Sequence, residues 1–286
     1  MKPHPHHHTS VVQRRRGLRR QAKQLARRLL PFVAALFLAS PVAGPLLKST
    51  AHSVVPVAPV TRVVAAPVAS FDAAAQSLYD QVGAAQEGLR FDVFQRALTG
   101  YLNLRQAGKL AGPQGRLAVI DFDLPSTEKR LWVFDLGTRQ LLFHTLVAHG
   151  HNSGENEATH FSNTDESNMS SLGFYVTGTQ YEGKHGRSLR LQGLDEGFNT
   201  NAAARSVVMH GADYVSEEFI RQNGRLGRSL GCPALPLAQY SQIIDALGDG
   251  SCLFINRTGA GYTSKYLNQD TAQLALPDSG LSTTQG

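Results

Sequence analysis

Seven short apolar runs limit what this chain can fold into. Residues 117–122, 130–136, 140–148, 174–177, 189–194, 206–210 and Cys252–Asn256 are of strand length and rich in Val, Ile, Leu and aromatic residues. Stretches containing Gly, Ser and Asn separate them. Runs of this kind bury an apolar face while extended and turn back at the polar segments. Gly137-Thr138 reads as one hairpin turn. Helical periodicity is confined to the flanks of this pattern. Phe91, Phe94, Leu98 and Tyr101 share one helical face within 71–110, Ser70 is placed to cap the start, and Gly83 and Gly88 break the stretch into two helices. Ser216 caps a short helix ending at Gly224, and another helix runs over 237–247 with Gly248 as its stop. The expected fold is mainly β with short helices, a sandwich or barrel carrying an N-terminal helical segment.

Charge divides the chain. Of 28 Lys+Arg, ten lie within residues 1–48, where there is no acidic residue; from residue 49 onward 18 bases face 22 acids. The folded body is therefore mildly acidic, which argues against a nucleic-acid-binding surface. The basic start is followed by the uncharged apolar run 29–38 and then by small residues and prolines, the arrangement of a secretory signal. Extended to Leu47, the run approaches the roughly 20 residues needed to span a bilayer, so 1–48 reads as a signal peptide or an uncleaved anchor. Residues 49–70, rich in Ala, Val and Pro, read as a linker. The sequence then divides into a helical segment at 71–112, a main domain at 113–259 and a polar, flexible tail at 260–286.

The chemistry concentrates between residues 207 and 235. Val207-Val208-Met209-His210-Gly211-Ala212 is followed by Gly227-Arg228-Ser229-Leu230-Gly231-Cys232-Pro233-Ala234-Leu235. A thiol nucleophile needs a base or a cation nearby, and His210, on an apolar strand, supplies the base. Gly231 lets a carbonyl approach the backbone, where the Gly231 and Cys232 N–H groups are placed for an oxyanion. Ser229 is placed to hydrogen-bond within the loop. Arg228 is placed to favour the thiolate or to hold a substrate carboxylate. A His and a Cys 22 positions apart are, by spacing alone, equally consistent with core residues.

The combined motif is far more specific. The chain resembles the L,D-transpeptidases of peptidoglycan, the YkuD-like family, in a divergent branch with His-Gly-Ala followed by Gly-Arg-Ser-x-Gly-Cys-Pro-Ala-Leu. Further stretches fit that branch: Val147-Ala148-His149-Gly150, Phe161-Ser162-Asn163, Ser171-Leu172-Gly173-Phe174-Tyr175 and Tyr181-Glu182-Gly183-Lys184-His185-Gly186. The likeness extends over about residues 91–257. It implies a YkuD-like β fold, Cys232 as nucleophile, His210 as general base, the Gly211 carbonyl orienting the imidazole, and peptidoglycan stem peptides as substrate. No metal or organic cofactor is implied. Leu230 stands where many members carry a second His.

The resemblance implies a thioester on Cys232, formed with loss of a terminal D-alanine. An amine acceptor then gives a 3→3 cross-link, and water gives an L,D-carboxypeptidase. The expected location is the periplasm or cell envelope, with membrane contact only through the N-terminal segment and no nucleic-acid partner. His149, Ser171 and Tyr175, with Arg228, are the candidates to line the substrate groove; His149, His151, His160 and His185 read as groove-lining or loop-stabilising residues, and for most of Ser162, Asn163, Ser170, Ser171 and Tyr175 structural hydrogen bonding is the stronger reading. Two other readings exist: a catalytically quiet wall-binding protein, favoured by Leu230, and a zinc metallopeptidase using His149 and His151. Cys252 reads as a core residue. A Cys232–Cys252 disulfide in an oxidising compartment would disable the nucleophile.

Overall fold

The computed structural model describes residues 70–113 and 115–281. The signal or anchor at 1–48 and most of the linker lie outside the described residues. Among the described residues no helix is long and apolar enough to cross a membrane.

Two helices open the fold. Helix α1 (Phe71–Gln81) is capped by Ser70, whose Oγ accepts the Ala73 N–H at 3.3 Å. Helix α2 (Phe91–Gln106) buries a face that includes Phe94, Leu98 and Tyr101. Gly100, in the middle of α2, would be expected to cost about 1 kcal/mol relative to Ala. Its role is steric: a Cβ there would lie 1.9 Å from the Phe174 ring. Phe174 in turn stacks on Phe254 with centroids 4.4 Å apart, so the missing side chain seats the helix against the sheet.

The sheet has eight strands: β1 (Arg116–Asp121), β2 (Leu131–Asp135), β3 (Gln140–Thr145), β4 (Gly173–Gly183), β5 (Gly186–Gly193), β6 (Val208–Ala212), β7 (Ala234–Pro236) and β8 (Cys252–Asn256). Their spatial order is β3-β2-β1-β8-β4-β5-β6-β7. The β1–β8 and β6–β7 pairs are parallel and the rest antiparallel. Each strand run read from the sequence falls on a strand of this sheet, but β3 stops at Thr145, short of the expected 148, β6 starts at Val208, after the expected 206, and β4 and β5 are longer than their apolar cores. Their ladder continues through the polar residues Gln180–Gly183 after an irregularity between Thr177 and Gln180. Strand β7 was not foreseen, since its three residues include Pro236.

The two edges of the sheet approach each other. After β3 the chain runs alongside β7 and the loop before it, bridging Ala148 to Ala234 and Gly150 to Ser229. These two isolated bridges nearly close the single sheet on itself, giving a near-barrel. Helix α3 (Glu217–Asn223) is capped by Ser216 and stopped by Gly224 at φ 73°. Helix α4 (Tyr240–Leu247) buries Ile243, Ile244 and Leu247 and stops at Gly248.

The tail expected at 260–286 is ordered over its described part. Helix α5 (Gln269–Ala275) packs with α2, and Tyr262, Tyr266, Leu276 and Leu281 are buried. Asn103 of α2 donates to the carbonyls of Tyr266 and Asn268, both at 2.8 Å, and Arg105 donates to that of Ser279 at 2.7 Å. A few aromatic and aliphatic side chains among polar neighbours suffice to hold the segment. The buried Asp195 ties it to the sheet. Its carboxylate accepts the Phe174 N–H at 2.6 Å, the Tyr262 hydroxyl at 2.7 Å and the Ser264 hydroxyl at 2.5 Å. Leaving a buried donor unpaired costs about 1–3 kcal/mol. Asp195→Ala is accordingly expected to destabilise the protein by more than about 3 kcal/mol in urea unfolding, with Asp195→Asn losing less. An unchanged midpoint for the alanine variant would show that the carboxylate does not hold the segment.

Candidate active site

Strand β6 presents His210 and positions its ring. His210 lies opposite Ser188 of β5 and Ala234 of β7. Its Nδ1 is 2.9 Å from the Gly211 carbonyl oxygen. A carbonyl only accepts, so Nδ1 carries the proton and Nε2 keeps its lone pair. Burial lowers the imidazole pKa below the ordinary histidine value, the Gly211 bond opposes that shift, and the His185 charge adds to the lowering. At neutral pH the ring is a neutral base.

The parallel β6–β7 register brings Cys232 beside the start of β6. Its Sγ accepts the Val208 N–H at 3.4 Å, and the thiol points toward the Ser206 carbonyl oxygen at 3.8 Å. Val208 and His210 are two residues apart on one strand, hence on the same face and about 7 Å apart along it. No hydrogen bond joins the thiol to the imidazole among the described residues. Ser206 adopts φ 57°, a left-handed conformation rare outside glycine, two residues before the strand. Burial raises the Cys232 pKa, while the Val208 N–H and the Arg205 charge pull it down. Thiol and imidazole thus rest as a neutral pair, not as thiolate and imidazolium.

The loop around the thiol is braced from within. Ser229 Oγ accepts the Gly231 N–H at 3.1 Å and donates to the Cys232 carbonyl at 2.6 Å. That bond alters the expected oxyanion site: the Gly231 N–H is occupied, and the Cys232 N–H has no acceptor among the described residues. Gly231 sits at φ 121°, and a Cβ there would lie 2.8 Å from the Met169 carbonyl oxygen and 3.3 Å from Arg205 Nη2.

Four candidates for the groove hold structural positions. Arg228 donates to the Gly154 carbonyl at 3.0 Å, the His151 carbonyl at 3.3 Å and Glu155 at 2.7 Å, so it fastens the 151–155 loop. His149 is fully buried. Arg130 Nη2 donates to its Nδ1 at 2.7 Å, so its Nε2–H faces the Gly154 carbonyl at 3.3 Å. With both nitrogens engaged, His149 does not pair with His151 as a metal ligand. Ser171 is buried, donating to the Ser162 carbonyl at 2.7 Å. Tyr175 is buried and donates to the Ser171 carbonyl at 2.9 Å. Cys252 is buried within β8; both cysteines are free thiols.

Arg205 was missed, because nothing in its local sequence distinguishes it from a surface arginine. It donates to Ser171 Oγ at 2.6 Å, the Met169 carbonyl at 2.7 Å, the Ser162 carbonyl at 2.8 Å and Ser167 Oγ at 3.0 Å. It thereby holds the 162–171 loop against Gly231. An apolar cleft of about 430 Å³ lies elsewhere, between Thr145, Leu146, Ala212 and Pro236–Gln239, and Cys232 does not line it.

The family model for the L,D-transpeptidase catalytic domain matches residues 85–256, and that span contains both His210 and Cys232. The chain belongs to the L,D-transpeptidase catalytic domain family. Members of this family modify peptidoglycan. Similar solved structures include an L,D-transpeptidase from Mycobacterium smegmatis, at 13% identity over 50% of this chain and 59% of that one, with a TM-score of 0.32. The helical cell shape determining protein Pgp2 of Campylobacter jejuni is similar at 13% identity over 63% of this chain and 61% of that one, TM-score 0.36. An L,D-transpeptidase from Mycobacterium tuberculosis is similar at 11% identity over 50% and 58%, TM-score 0.29. The likeness spans less than two thirds of each of those chains. No curated protein matches this chain.

Two outcomes follow from the site's geometry. His149 has its pKa lowered to about 4 by burial first and the Arg130 charge second. The unfolded chain, titrating near 6.5, binds the extra proton between those values. Stability is therefore complete above pH 6.5 and falls by up to about 3 kcal/mol toward pH 4. His149→Gln should flatten that slope in urea titrations, and an unaltered slope counts against the buried neutral imidazole. Gly231→Ala should cost about 1–3 kcal/mol of stability through its φ and the Met169 contact; an unchanged thermal midpoint would mean the loop accommodates a side chain.

Proposed function

We propose that the chain is a cysteine-dependent L,D-transpeptidase acting on peptidoglycan stem peptides, with Cys232 as nucleophile and His210 as general base. The observation that carries this reading is the Nδ1–H of His210 held by the Gly211 carbonyl, which leaves the Nε2 lone pair free on the strand that also receives the thiol. Because both groups rest neutral, proton transfer accompanies attack. The sulfur bonds to the carbonyl carbon at the L-centre of the diaminoacyl residue as its proton passes to His210. The Cys232 N–H, free of protein acceptors among the described residues, faces the developing oxyanion. The carbon–nitrogen bond to D-alanine breaks, and the departing amine takes the proton from the imidazolium. The side-chain amine of a second stem then attacks the thioester, restoring the thiol and forming the 3→3 link. Water in place of that amine gives an L,D-carboxypeptidase by the same first half. None of these steps calls for a cofactor.

Ser229, Gly231 and Arg205 are positioning residues here: they shape the loop that carries the thiol. The basic start and apolar run within 1–48 support an exported enzyme of the periplasm or cell envelope. Full-length protein incubated with muropeptides, with products read by mass spectrometry, tests the reading. D-alanine release is expected to vanish in Cys232→Ala and to slow by about 10²–10⁴-fold in His210→Ala. Dimers alongside the release assign transpeptidation, and release without dimers assigns carboxypeptidation. Neither product nor an adduct on Cys232 in the unaltered protein would overturn the enzymatic reading.

A further inference from the structure

One neighbour of the base has no part in the steps above. His185 sits exposed at the tip of the β4–β5 hairpin, between Gly183 and Gly186. Its ring stacks on that of His210, with centroids 4.5 Å apart and planes inclined by 25°. The backbone places it there. Gly183 pairs with Gly186 to close the hairpin, Ser188 pairs with His210 two residues further on, and Ser188 Oγ donates to the Gly186 carbonyl at 3.1 Å. From beneath, Tyr240 of α4 fixes both ends of this arrangement. Its ring fills the space over Gly211, where a Cβ would come within 2.7 Å, and its hydroxyl oxygen lies 3.3 Å from the Cβ position of Gly186.

The bond from Nδ1 to the Gly211 carbonyl fixes one atom of the His210 ring and leaves the plane free to tilt about it. An aromatic face laid nearly parallel removes that freedom and keeps water from one side of the ring. The loop before β7 offers no such face, because Leu230 is 74% exposed. We propose that His185 is a positioning residue for His210: its stacked ring holds the base in the plane from which Nε2 meets the thiol proton. This rests on the reading of His210 as the general base.

The titratable and charged groups on the surrounding elements are few. Tyr181 and Glu182 lie at the end of β4, Lys184 and His185 on the turn, Arg187 and Arg190 on β5, Arg205 before β6, Cys232 before β7, and Tyr240 and Asp245 on α4. Arg187 is matched by Asp245 at 2.8 Å and by Glu182 at 3.9 Å. Among these groups His185 is the one whose charge acts on the His210 ring, and burial of that ring acts in the same direction.

Two measurements on the full-length protein separate the stack from the catalytic reading. The first is an NMR titration of the His210 ring in the unaltered protein, His185→Ala and His185→Phe; the second is D-alanine release across pH for the same three. His185→Ala is expected to raise the His210 titration toward about 6.5, move the acidic limb of the release profile up with it, and lower kcat several-fold with little change in KM. His185→Phe keeps the stack, and is expected to hold the titration low and restore kcat. An unmoved His210 titration in the alanine variant overturns the inference. Equal shifts in both variants also overturn it, since charge alone would then be acting. If the unaltered protein releases no D-alanine, the functional reading fails while the ring titration still decides the stack.

Discussion

The site depends on closure of the sheet. Strand β7 is only three residues long and holds its place because it is paired on both sides: with β6 through His210, Gly211 and Ala212, and with the chain after β3 through Ala148. The Gly150–Ser229 bridge and the His151 N–H on the Ser229 carbonyl, at 2.7 Å, carry the same contact into the loop that bears the thiol. Without those contacts Cys232 would ride on a loop next to a lone edge strand. With them, its position relative to His210 is a matter of strand register, which is discrete and does not drift.

A second consequence of closure is dryness. Arg130, fully buried beside His149, spends its donors on the Val147 and Leu124 carbonyls and lies over the Phe122 ring at 4.8 Å. It satisfies carbonyls in the buried region where the sheet's ends converge. The same shielding pushes the thiol toward its neutral form and the histidines likewise. Packing, not a nearby ion pair, sets the protonation of the site.

The sequence made the sheet legible because its strands are apolar runs bounded by turn residues, and it singled out Cys232 and His210, which the structure places on and beside β6, because their motif is dense. It could not reveal which polar side chains face inward. His149, Ser171 and Tyr175 sit among Gly, Ser and Asn, a composition that reads as an open groove. They are buried because Arg130, Arg205 and backbone carbonyls satisfy them, and those partners lie up to 34 positions away in the chain. Arg228 misled for the opposite reason: its nearness to Cys232 in sequence suggested a shared task, but its side chain turns toward Glu155. The C-terminal segment was hidden by its polar residues, since Tyr262, Tyr266 and Leu276 carry no periodic signal.

That segment also bears on how the molecule is made. Helix α2, near residue 100, finds its partners at residues 266–279, and Asp195 waits for Tyr262 and Ser264. Contacts this distant in sequence form late and cost loop-closure entropy before they return any stabilisation. On a ribosome, most of the chain would emerge with the Asn103 and Arg105 donors of α2 unpaired and a carboxylate lacking two of its donors. The domain is completed only when the stretch around residue 279 is free to fold back, so protection of the unfinished chain until then falls to whatever handles it during synthesis.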